Sequence, residues 1–157
     1  MEIWDILDKN GTVIGRCNKG EVPNGRYHAV VHLWMRNGEG KFLLSQRAEG
    51  KHHPLLWETT GGSVLAGETA EDAARREAME ELGVRVEGLV PFLRFCQGDQ
   101  IVTVFVTFYS GTDITLRDGE TIGWKYASEG ELRQMNAKGE CMPFTYEESL
   151  FAWLSIE

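Results

Sequence analysis

The stretch that most constrains this chain is GGSVLAGETAEDAARREAMEELGV, from Gly61 to Val84. It reads as a helix entered from a glycine-rich turn. Thr69 is an N-cap residue type and Asp72 three positions later suggests a capping box, while Gly83 stands where a left-handed C-cap belongs. The spacing therefore predicts a helix over 70–82. At about 100° per residue, Ala74, Ala78 and Leu82 form an apolar stripe for the core, and the alanines at 70, 73 and 74 permit close approach to neighbouring backbone. The next arc carries Glu77, Glu80 and Glu81. Like charges three and four apart on a helix repel, so something positive should offset them. Three converging carboxylates are the hard oxygen donors that Mg²⁺ or Mn²⁺ prefers. Arg76 supplies a second, internal source of charge, since its fork suits a bidentate pair with Glu68. On composition alone, a solvated acidic face with salt bridges to Arg75 and Arg76 would also account for these residues.

The rest of the chain frames that helix. IWDILDKNGTVIGR reads as a hairpin turning at Asn10-Gly11. YHAVVHLWM and KFLLSQR follow as strands around the RNGEG turn, then a basic loop AEGKHHP and a short strand LLWETT. After the helix, VRVEGLVPFLRFC and QIVTVFVTFYS read as strands turning at Gly98-Asp99, with Val102, Val104, Val106 and Phe108 alternating against Thr103, Phe105 and Thr107. A further strand around Trp124 precedes two short helices, SEGELRQMNAK and PFTYEESLFAWLSI. This order predicts a single mixed α/β domain over 1–157.

A formal net charge of -8 argues against binding a nucleic-acid polymer. It leaves room for a phosphorylated small molecule, because a divalent cation inverts the local sign. Cys17, Cys96 and Cys141 are widely spaced and read as free thiols. The first residues lack the pattern of a signal peptide and no apolar run spans a bilayer, so no membrane partner and a cytoplasmic location are expected.

Gly62, Glu68, Arg76, Glu77, Ala78, Glu80, Glu81, Gly83 and Val84 fill a fixed spacing that resembles the Nudix box, with Ala78 smaller than the Leu, Ile or Val usual there. The resemblance implies a Nudix-type α/β/α sandwich with a mixed β-sheet and a loop-helix-loop catalytic motif over 62–84. It implies Mg²⁺-dependent hydrolysis, with Mn²⁺ an alternative, of a nucleoside diphosphate derivative or related small organic diphosphate. Glu77, Glu80 and Glu81 would be metal ligands, one of them also a base, with the Gly62 carbonyl beside them. Arg76 would belong to the catalytic motif and, with Gly61, Glu68 and Gly83, hold its shape. The N-terminal pattern resembles the subgroup related to isopentenyl diphosphate isomerase. That enzyme needs a cysteine where Thr59 and Thr60 stand, and a glutamate that QIVTVFVTF lacks. A catalytically silent binding domain is the other alternative, although such domains typically lose box glutamates.

Outside the box, Arg47, Trp57 and Glu120 are the candidate substrate-binding residues: Arg47 for the diphosphate, Trp57 for base stacking, and Glu120 for an additional acidic role. Lys51, His52 and His53 complete a basic patch. His28 and His32 share a strand face, as structural histidines or substrate contacts. Trp34 and Trp124 read as core. Leu150, Phe151 and Trp153 suit either core or a homodimer surface.

Overall fold

A computed structural model describes residues 2–155. The first hairpin forms as its turn signal predicts: β1 (Ile3–Leu7) pairs with β2 (Val13–Asn18), and Gly11 takes the left-handed φ of 84° that the turn requires. The Asp8 carboxylate accepts from the Asn10 and Thr12 amides and closes the loop.

A seven-stranded mixed sheet is organised on β3 (His28–Arg36). On one side β3 runs parallel to β8 (Gln100–Phe108), which continues antiparallel to β7 (Val90–Gln97). On its other side β3 pairs antiparallel with β6 (Thr60–Ser63) and, at Arg36, with β4 (Phe42–Arg47). Antiparallel neighbours of β4 are β5 (Trp57–Glu58) and β9 (Thr121–Ala127). Alternation along β3 assigns its two faces. Val31, Leu33 and Met35 pack against Ala73, Ala74, Ala78 and Leu82 of α1 (Ala70–Leu82). Val30 and Trp34 face the opposite layer, where α2 (Glu129–Lys138) and α3 (Glu147–Leu154) supply Leu132, Met135, Leu150, Phe151 and Leu154. The predicted mixed sheet between helical layers is what the chain forms.

Sequence expectations needed correction in several places. Gly61 and Gly62 lie in a strand, β6, rather than a turn, and neither has a positive φ. The turn before the helix comes later, at Gly67 with φ 79°. Thr69 caps α1 by accepting from the Asp72 amide, but the Asp72 carboxylate turns to Arg75 at 3.7 Å, so only half of the expected capping box forms there. A complete box occurs instead at α2, between Ser128 and Glu131. The strand expected from Val84 begins at Val90. Carbonyls just before it serve side chains instead of a ladder, Glu87 accepting from Arg75 Nη2 at 2.7 Å and Gly88 from the Thr107 hydroxyl. Leu150 and Phe151 are buried in the core, which removes these two as a homodimer surface, while Trp153 is half-buried and packs against the core.

Candidate active site

The edge of β6 and the facing side of α1 bring the acidic residues together. Burying Ala74, Ala78 and Leu82 against the sheet turns Glu77 and Glu81 inward beside Gly61 and Gly62. The two glycines are required by space rather than by backbone conformation. A Cβ at Gly61 would stand 2.7 Å from the Val31 carbonyl oxygen, and one at Gly62 would stand 2.5 Å from the Glu77 carboxyl carbon. Gly83, by contrast, is a conformational glycine: it ends α1 with φ 66°, its amide bonded to the helix's last carbonyls.

Arg76 organises the acidic side chains. Its Nε and Nη2 take the Glu68 carboxylate in a bidentate pair at 2.8 and 3.0 Å, and Nη2 also donates to the Ser63 carbonyl at 3.0 Å. Nη1 reaches Glu77 at 2.8 Å and Glu80 at 3.3 Å. Glu68 accepts in addition from the Leu65 amide at 3.0 Å. Burial would push the Glu68 carboxyl up, but the guanidinium and that amide outweigh it and hold its pKa below the usual range. The loop before α1 is thereby tied to the helix, as the bidentate pairing predicted.

Glu77 and Glu81 are in the opposite electrostatic situation. Burial raises the Glu77 pKa despite Arg76. It raises that of Glu81 much further, with the neighbouring Glu77 carboxylate adding to the effect and the Gly61 amide countering it only in part. Glu81 Oε2 is buried with no N–H or hydroxyl donor to it, and the carboxyl lies in hydrogen-bond contact with that of Glu77. Glu80 is more exposed and also stands 3.7 Å from Arg117. Among the described residues no three acidic, histidine or cysteine side chains already stand in ligating geometry, and Arg76 holds both Glu77 and Glu80. The donor set nevertheless fits a hard divalent cation: oxygen-only, anionic in character, and containing a buried carboxyl oxygen that no N–H or hydroxyl donor satisfies.

A cavity of about 310 Å³ opens over these carboxylates. Besides Glu77 and Glu81 it is bordered by Lys19, Arg47, Lys51 and Arg117. Glu120 is brought here too, paired with Lys51, and its pKa is lowered by that contact. Arg47 is held by Glu58 at 2.9 Å and by the His52 carbonyl at 2.7 Å. Glu58, one residue beyond Trp57, lies close enough to raise the Glu81 pKa further. Sequence reading passed over Glu58, Lys19 and Arg117. Only a prediction that β5 pairs with β4, setting Glu58 opposite Ser45, could have signalled the first.

Trp57 is not brought to this cavity. Its ring lies beneath the Lys125 ammonium, 4.4 Å from the ring centroid, and packs against the core. A second cavity, of about 300 Å³, shares Arg47, Glu58, Gly61 and Gly62 with the first and is lined by aromatic side chains from Trp34, Phe144 and Tyr146. His32 borders it, with Nδ1 2.7 Å from the Tyr146 hydroxyl, and burial pushes its pKa down to about 4. His28 is a structural residue, stacked on Trp4 at 4.0 Å. Cys141 also borders the aromatic cavity, although far from Thr59 in sequence, and burial pushes its thiol pKa up.

A mixed sheet between helices carries a capped acidic helix against a cavity bordered by Glu77 and Glu81, the architecture of a Nudix domain. The chain belongs to the NUDIX domain family, whose model matches residues 26–143. An uncharacterised Nudix hydrolase of Listeria monocytogenes is 30% identical over 159 residues, covering 96% of this chain and 94% of that protein. An isopentenyl-diphosphate Delta-isomerase of Streptomyces avermitilis is 39% identical over 86 residues, or 52% of this chain and 44% of that one. A Deinococcus radiodurans protein of known crystal structure superposes with a TM-score of 0.77 at 26% identity, covering 94% of this chain and 96% of that one.

Proposed function

We propose that this chain is a divalent-cation-dependent hydrolase cleaving the diphosphate linkage of a nucleoside diphosphate derivative or a related small organic diphosphate. The observation that carries this reading is one cavity in which half-buried Glu77 and Glu81 face Lys19, Arg47, Lys51 and Arg117. Glu77, Glu80 and Glu81, with the Gly62 carbonyl, would hold Mg²⁺ or, alternatively, Mn²⁺. Such an ion, when bound, lowers the pKa of water and offsets the charge of the diphosphate.

The chain's own groups have distinct tasks. Arg47, steadied by Glu58, and Arg117 present cationic donors to phosphate oxygens. The Glu81 carboxyl, beside Glu77 and bordering the cavity, is placed to accept a proton from an attacking water. Arg76 positions Glu77 and Glu80 while tying Glu68 to the helix. Glu120 keeps Lys51 at the cavity edge. Turnover separates a silent binding domain from a hydrolase. Isomerase chemistry is disfavoured because Cys141, which borders the adjoining aromatic cavity, is buried with its thiol pKa raised. The test is nucleotide and phosphate release from a panel of diphosphates with Mg²⁺, Mn²⁺ or a chelator.

A further inference from the structure

The aromatic cavity contains a hydrogen-bond relay whose direction follows from the chemistry of its members. Trp34 Nε1 lies 2.9 Å from the Tyr146 hydroxyl oxygen and can only donate to it. The hydroxyl oxygen is therefore an acceptor from Trp34, and its own proton needs an acceptor elsewhere. Tyr146 is buried at 5% exposure, and among the described residues the one acceptor paired with its hydroxyl is His32 Nδ1, at 2.7 Å. A proton on Nδ1 would leave the Tyr146 O–H unmatched inside the core, an unfavourable arrangement. Nδ1 thus accepts, and the ring proton sits on Nε2. Phe92, Phe95 and Phe144 pack around the Tyr146 ring and fix the relay in place. His32 Nε2 makes no hydrogen bond among the described residues and is not sealed in the core, while the ring borders the cavity.

We propose that His32 is a specificity-determining residue: a donor of fixed tautomer whose Nε2–H recognises a hydrogen-bond acceptor, a carbonyl oxygen or pyridine-type ring nitrogen, in the organic group of the ligand. The ligand assignment rests on the diphosphate reading, because this cavity joins the carboxylate cavity along Arg47, Glu58, Gly61 and Gly62. The tautomer assignment does not depend on it. Flat aromatic walls and a volume of about 300 Å³ suit a heteroaromatic group, with the Gln97 and Gln100 side chains at its border.

Two measurements on the full chain test this. Long-range ¹H–¹⁵N spectra of imidazole-labelled protein at pH 7 should show His32 Nδ1 unprotonated and Nε2 protonated, with the bias lost in Tyr146→Phe. An Nδ1–H tautomer or an imidazolium in the unsubstituted chain overturns the proposal. Benzyl phosphate and the three isomeric pyridylmethyl phosphates are then titrated, since these differ only in a ring acceptor. At least one pyridyl isomer should bind about fivefold more tightly than benzyl phosphate and shift the His32 Nε2 resonance. The preference should vanish in His32→Phe. Equal binding, no binding of any probe, or a preference surviving in a folded His32→Phe overturns it. Both readings on the unsubstituted chain stand whether or not a variant folds. If the diphosphate panel is silent while the tautomer and the pyridyl preference hold, the hydrolase reading fails and the recognition role survives. Turnover accompanied by the opposite tautomer leaves the hydrolase standing and removes the recognition role.

Discussion

The carboxylate of Glu77 occupies the space that any side chain at Gly62 would need: a Cβ there would lie 2.5 Å from Glu77 Cδ and 2.9 Å from Oε2. Neither residue's backbone is strained, so the requirement for glycine is a requirement for the carboxylate's position. Gly62→Ala should displace a flexible side-chain end and leave the fold intact, with unfolding free energy changed by less than about 1 kcal/mol. Turnover should fall by roughly 10-fold or more, because positioning of a reacting group is lost. Denaturant unfolding beside a rate measurement checks both halves; equal rates with an intact fold would contradict the Glu77 assignment.

Arg76→Lys should cost about 2 kcal/mol, since a lysine cannot keep the bidentate pair with Glu68 together with the Ser63 carbonyl. The pH dependence is informative here. The lowered folded-state pKa of Glu68 contributes stability that is present above its unfolded value and lost as pH falls through the folded one. In the variant this acid-side loss should shrink. Chemical unfolding at pH 7 and pH 3 measures it.

His32 gives a second window. Its folded pKa of about 4 lies below the ordinary 6.5, so between those values the unfolded chain binds more protons than the folded one. Stability should therefore fall as pH drops from 6.5 to 4, by up to on the order of 3 kcal/mol from this group. His32→Gln should flatten that slope. An unchanged slope in the variant would show that the ring is not held neutral by burial.

Ala78 is fully buried against the sheet, at the box position where a larger aliphatic residue is usual. Ala78→Leu should therefore destabilise by about 1–3 kcal/mol through overpacking, despite matching the family pattern more closely. A melting temperature equal to or above that of the unsubstituted chain would mean that the layer between α1 and β3 is looser than its packing indicates.

Much of this architecture was legible in local pattern. Thr69 and Gly83 bound α1 at the predicted residues because caps act within a turn of the chain. The Glu68–Arg76 pair was readable for a similar reason, since one partner sits on the helix and the other just before its cap. Features set by strand pairing were not readable. Gly61 and Gly62 look like turn glycines until β6 is paired with β3, and Glu58 looks like an ordinary polar residue until β5 lies beside β4. Trp57, adjacent in sequence to the box, was drawn away from the cavity to Lys125. The His32–Tyr146–Trp34 relay spans more than a hundred residues of chain, and no local periodicity reports such a contact.

The most direct test of the hydrolase reading is release of phosphate and nucleotide over a broad diphosphate panel, with Mg²⁺, Mn²⁺ or a chelator, using Glu81→Gln as the paired variant. Cleavage should require the cation and fall by roughly 10²-fold or more in the variant, which loses the buried carboxyl that serves as ligand or base. Near-unchanged turnover in a folded Glu81→Gln protein, or cleavage that persists in chelator, would contradict it.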